Sequence, residues 1–200
     1  MRHAERKKGD DMSGEREWVE TVKRDVEKAL ARKNMIVETS RRLPYAMHIS
    51  SYKSRAFEPG FAEPAATETY GYQTDLLIAE RLAEPGNWVP RVVVEFKLGS
   101  ISTHDALTYS AKAATHKNVH PYLRYGIVVG KYAGPVPRRL MRHGHQFDFM
   151  LMLQSDTLTD TDRKQLVRLL KEEVEASRSI GKLLTKGSDA RLVHRKLVAT

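Results

Sequence analysis

Two carboxylates and an amine recur in the chain at a spacing suited to phosphodiester hydrolysis: Asp75, then Glu95 and Lys97 two residues apart. Alternation along a strand puts Glu95 and Lys97 on one face and turns Phe96 to the other. If the segment holding Asp75 pairs with the one holding Glu95 through a turn at Pro85, Gly86 and Asn87, the two carboxylates meet at one end of an apolar sheet. Like charges in so poorly solvated a place repel and raise a pKa. A divalent cation relieves that repulsion. Mg2+, with Mn2+ as a substitute, takes one or two carboxylates and completes its shell with waters and phosphate oxygens. Lys97 beside the ion would orient or help deprotonate an attacking water and offset charge on the scissile phosphate. The competing explanation is a plain ion pair at a strand end. Glu68, upstream of Asp75, could reach a second metal or be an ordinary loop charge, and Lys112 and His116, four apart, could contact substrate or simply form a polar helix face.

These residues need elements to hold them. Trp18, Val22, Val26 and Ala29 or Leu30 fall at helical spacing, which predicts an amphipathic helix over 13–31 capped by Ser13. From 35 to 72 the pattern is irregular, with short β-like pieces and Pro44, Pro59, Gly60 and Pro64 as breakers, so a meander or long loop is expected there. Strands are expected at 73–80 and 91–97, the second buried on both faces because of its three consecutive valines. A helix over 104–117 capped by Ser102 or Thr103, a strand at 125–130, a short helix near 137–143, a strand at 147–153 and a helix from about 159 follow. The alternation predicts an α/β fold, a central mixed β-sheet flanked by helices with a crossover helix between strands.

The passage TDLLIAE, then RVVVEFK twenty residues on, then a helix and the strand YGIVVG resembles the PD-(D/E)xK nuclease superfamily. The resemblance implies a restriction-endonuclease-like αβββαβ core, with Asp75 as the first metal-binding aspartate and Glu95, Phe96 and Lys97 as ExK. Thr74 stands where a proline is often found. Phe96 would lend its carbonyl oxygen to the metal. A glutamate on the preceding helix often joins the site, and Glu20 is the choice, with Glu17 and Glu27 close behind. Many relatives carry Gln-x-x-x-Tyr on the following helix; here Asp105 and Tyr109 occupy that spacing, the tyrosine present and the glutamine replaced. Tyr109 and His116 are assigned supporting roles. On this reading 1–12 is a flexible leader, 13–180 a single nuclease-like domain and 181–200 a basic C-terminal tail.

Charge agrees with a polyanionic partner. The 200 residues carry a net charge of +9, with 40% hydrophobic and 30% charged residues, too apolar for disorder and too polar for a membrane protein. Between Phe96 and Ser155 eight Lys and Arg face two Asp, so most of the excess lies downstream of Glu95. Arg41, Arg42, Lys53, Arg55, Lys112, Arg138, Arg139 and Arg142 are the candidate DNA contacts. The absence of cysteine excludes disulfides, thiol nucleophiles and iron-sulfur clusters. No apolar run approaches the ~18 residues of a membrane span, and the charged N-terminus lacks the centre of a secretion signal, so a cytoplasmic location is expected. The expectation is a Mg2+-dependent DNA endonuclease of restriction, repair or mobile-element type. By analogy it would act as a homodimer. The alternatives are a non-catalytic nucleic-acid-binding module and a nuclease needing a protein partner from a defence or mobile-element system.

Overall fold

The computed structural model describes residues 2–30, 34–53 and 62–187, with side chains from residue 14 onward. In order these form α1 (Arg2–Leu30), β1 (Met35–Thr39), β2 (Arg42–Tyr52), β3 (Pro64–Gln73), β4 (Leu76–Arg81), β5 (Trp88–Leu98), α2 (Thr103–Val119), β6 (Arg124–Gly130), α3 (Arg138–His143), β7 (Phe149–Met152) and α4 (Asp160–Lys186). Five strands make one mixed sheet in the order β1-β4-β5-β6-β7. β4 runs antiparallel to both β1 and β5, and β5, β6 and β7 run parallel. α2 supplies the crossover from β5 to β6 that a parallel pair requires. β5 is central and covered on both faces: Val92, Val93, Val94 and Phe96 are wholly buried.

Each face has its own apolar layer. On one side Trp18, Val22 and Val26 of α1 and Leu166, Leu170 and Val174 of α4 pack against Leu76, Ile78, Val92, Val94 and Phe96. Their helical spacing makes one stripe per helix, and each side chain so buried contributes about 1.5–3 kcal/mol. On the other side Ala106 and Ala113 of α2 meet Val93, Tyr125 and Ile127, with Leu140 and Leu43 at the margins. α2 buries small residues, so it sits close to the sheet. Two ion clusters fasten α4: Arg178 and Arg91 on Glu80, and Arg124 between Asp148 and Glu173.

Three expectations change. α1 begins at Arg2 rather than at Ser13, since Ala4, Glu5, Arg6, Lys7 and Lys8 favour helix as well as the residues after them do; the segment expected as a leader is continuous with the helix. In the segment expected as a meander or loop, the short β-like pieces are strands, β1 and part of β2, while β2 pairs antiparallel with β3 as a separate two-stranded ribbon. Its prolines did not break it: Pro44 sits at a register shift and Pro64 opens a strand, both places where a missing N–H is tolerated. The expected tail partly belongs to α4, which continues to Lys186; 188–200 lies outside the described residues. Among the described residues no helix is long and apolar enough to cross a membrane.

Gly130 at the end of β6 is required by packing: a Cβ there would lie 2.7 Å from the Trp18 ring and 2.9 Å from Leu98. Trp18 in turn meets Phe96 edge-to-face at 5.2 Å. Gly130→Ala should therefore destabilise the protein by ~1–3 kcal/mol through overpacking, read as a lower urea midpoint at unchanged slope. Trp18→Phe in the same chain should recover part of that loss, and a neutral Gly130→Ala would refute the contact.

Candidate active site

The register of β4 against β5 pairs Leu76 with Val94, which brings Asp75, one residue before β4, opposite Glu95. The Asp75 carboxylate accepts the Phe96 N–H at 2.8 Å. Thr74 sets this approach. It is fully buried, and both its N–H (2.9 Å) and its hydroxyl (3.0 Å) donate to the Arg41 carbonyl at the root of the ribbon. A proline here, common in the family that the sequence resembles, could donate neither bond.

Glu95 is 1% exposed. Tyr125, on β6 and on the same sheet face, donates its hydroxyl to Glu95 Oε1. Lys112 of α2 brings its Nζ to 3.4 Å from Oε2. Burial drives the Glu95 carboxyl up to about 7, the neighbouring Asp75 charge pushes the same way, and Lys112 and Tyr125 only partly oppose them. Asp75 is likewise raised by burial, against the Phe96 N–H and Lys112. Near neutral pH the pair therefore carries less than its two formal charges.

Lys97 points along the strand end toward α1, with its Nζ 3.7 Å from Glu15 Oε2. Glu15 also accepts the Leu98 N–H at 3.1 Å. The glutamate that α1 brings to this end of β5 is thus Glu15. Glu20, expected in that role, accepts the Thr39 hydroxyl. The reason is angular: Glu15 lies three residues before Trp18 and seven before Val22, on the buried stripe, whereas Glu20 lies two from each and off it. Glu68 stands on the ribbon opposite His48 and accepts the Tyr70 hydroxyl at 2.8 Å.

α2 adds further groups around the carboxylates. Tyr109 is half-buried, raised first by burial and next by the Glu95 and Asp75 charges, and Lys112 Nζ stands 5.4 Å over its ring. Asp105 turns away to close a capping box with Ser102. His116 is fully buried rather than part of a polar face: its Nε2 meets the Leu43 carbonyl at 3.1 Å, so it ties the ribbon to α2. Burial holds its pKa down.

The candidate DNA contacts divide. Lys112 belongs to the carboxylate site. Arg138, Arg139 and Arg142 are exposed on α3, and Arg139 reaches the Ile101 carbonyl at 3.4 Å, in the loop that follows β5. Arg41 pairs with Glu38 at 3.5 Å and lies over Trp88, Arg42 is exposed at the ribbon root, and Lys53 is engaged by Glu63. Arg55 lies outside the described residues. Sequence reasoning missed Glu15, Tyr125 as a Glu95 partner, and Thr74. Glu15 was findable by extending the Trp18 stripe one turn back.

No protein-family model matches the chain, and no curated protein matches its sequence.

Because folding raises the Glu95 pKa above its ordinary 4.5 to about 7, its stability contribution is present in full below pH 4.5 and is lost as pH rises toward 7. With a chelator present, Glu95→Gln should be more stable than the wild type at pH 8 by up to about 3 kcal/mol, an advantage that shrinks toward pH 5. Urea titrations at the two pH values check this, and parallel profiles for the two proteins would contradict it.

Proposed function

We propose that this protein is a metal-dependent DNA endonuclease of the restriction-endonuclease-like class that hydrolyses phosphodiester bonds at Asp75, Glu95 and Lys97. The observation that carries the reading is the desolvated pair of carboxylates on neighbouring strand ends, one pushed up to about 7, with Lys97 on the same strand. The element order helps: a helix, three antiparallel strands of one sheet, a crossover helix and a parallel strand, with the ribbon inserted between the first two strands.

The donor set fits a hard divalent ion. Among the described residues no group of three or more His, Asp or Glu is placed to hold a metal ion, and Mg2+ does not ask for one, since it keeps waters and substrate oxygens. Asp75 and Glu95 would hold it, with the Phe96 carbonyl as a further oxygen. Bound there, the ion would neutralise the carboxylate pair and act as a Lewis acid toward the phosphate. Lys97, part-exposed at the strand end, would orient the attacking water and offset charge on the phosphate as the water oxygen bonds to phosphorus and the ester oxygen leaves. Lys112, 3.4 Å from Glu95, would add a second positive charge. A double-strand cut from one such site per chain asks for two chains.

A second reading has its own observation. Lys112 already faces Glu95 and Lys97 already faces Glu15, a closed set of charges that would suit a non-catalytic nucleic-acid-binding module. Salt-sensitive binding without cleavage would favour it.

Incubated with plasmid and Mg2+, the protein should nick or linearise it, and EDTA should abolish the effect. Asp75→Asn and Lys97→Ala should each lower the rate by at least about 100-fold. Equal products from the wild type and Lys97→Ala on an agarose gel would sink the catalytic assignment.

A further inference from the structure

The β2–β3 ribbon holds four of the eight tyrosines of the chain, Tyr45, Tyr52, Tyr70 and Tyr72. Tyr52 is 56% exposed and Tyr70 41%, and Met47 between them in the ribbon is 56% exposed. An isolated two-stranded ribbon is marginal in water, so wide exposure of aromatic rings on one asks what they meet.

The root of the ribbon shows how it is aimed. Tyr45 and Tyr72 stack at 3.9 Å with their planes 9° apart. Both rings rest edge-on against His116, at 6.4 and 5.7 Å, and the His116 contact with Leu43 fixes that root on α2. Lys112 Nζ lies 5.9 Å over Tyr72 and 3.4 Å from Glu95. A pre-ordered aromatic pair is therefore joined through one lysine to the carboxylate site.

Charge narrows the occupant. On the described part of the ribbon Arg42 and Lys53 are balanced by Glu63 and Glu68, and Lys53 is already paired. The ribbon thus adds no net attraction for duplex phosphates. What it offers is ring faces, and those suit a base freed from its helix, since an unstacked base presents a free π-face whereas both faces of a paired base are already covered by its neighbours. The nearest positive charges for the adjoining phosphates are Lys112 and Lys97 at the site, each shared with a glutamate, Glu95 and Glu15.

We infer that the Tyr45–Tyr72 stack is a base-stacking subsite for an unpaired nucleotide adjoining the Asp75–Glu95 carboxylates, with Tyr70 and Tyr52 continuing it along the ribbon. The subsite makes the preferred substrate a nucleic acid with a single-stranded segment. It rests on the nucleic-acid reading above but not on cleavage.

The test is fluorescence anisotropy of a labelled single-stranded oligonucleotide and of the same sequence as a duplex, with EDTA present. Tyr45→Leu should weaken single-strand binding by about 5- to 150-fold, the range expected for loss of one stacked base. Tyr45→Phe should stay within about twofold and duplex binding should hardly change. Tyr52→Leu, on a side chain too exposed to threaten the fold, should give a smaller loss in the same direction. Unchanged single-strand affinity in Tyr45→Leu would overturn the subsite. So would equal losses on both substrates, or no binding of either by the wild type. A change of sedimentation coefficient with unaltered affinity would make the ribbon an interface between copies instead, and overturn it too. Tyr45-dependent binding without any EDTA-sensitive plasmid cleavage would leave the subsite standing and remove the nuclease. Lys97-dependent cleavage with Tyr45→Leu binding like wild type would do the reverse.

Discussion

The carboxylate of Asp75 against the backbone N–H of Phe96, with Glu95 beside it, is the constraint around which the rest is arranged. Two acids at the end of an apolar sheet are costly unless something answers their charge. The protein answers with neighbours drawn from separate elements: a lysine from α2, a tyrosine hydroxyl from β6, and one N–H from β5 itself. The answer is incomplete, since burial still holds Glu95 far above an ordinary glutamate. That residual cost distinguishes the cluster from the ion pairs at Glu80 and Asp148, where guanidinium groups meet carboxylates at 2.7–2.9 Å and fasten helix to sheet.

Positioning of the pair comes from both layers of the fold. α1 locks Phe96 through Trp18, and Gly130 leaves room for that indole. α2, kept close by its alanines, delivers Lys112 and Tyr109 to the opposite face. The ribbon enters through Thr74, whose two hydrogen bonds to Arg41 join its root to the turn bearing Asp75. One consequence is that the aromatic side of the molecule and its acidic site share a single support, His116 packing against Leu43 and against the Tyr125 ring at 5.7 Å.

Much of the framework was legible where periodicity is strong. The stripes of α1 and α4, the valine run of β5 and the strand of β6 follow from which residues repeat at 3.6 or fill both faces. The ribbon was hidden because its strands are exposed on both faces, which erases the alternation that announces a strand, and because its prolines sit where prolines do no harm. The start of α1 was hidden because its first turns carry no apolar stripe to count. The burial of His116 was not legible, since a buried histidine leaves no mark in a hydrophobic pattern.

The amino-acid sequence by itself determined the acid–acid–lysine set, its distribution over two strands and the α/β character of the chain, because these depend on local spacing and on burial of contiguous runs. Tertiary structure alone decided which other polar groups reach the set. Glu15 meets Leu98 across 83 residues and Tyr125 meets Glu95 across 30; the helical period puts Glu15 on the buried stripe but does not say which strand it meets, and Glu20, off that stripe, turns to Thr39. Such meetings follow from strand order and helix docking, which no local period encodes, and they set how much of the buried charge is left unanswered.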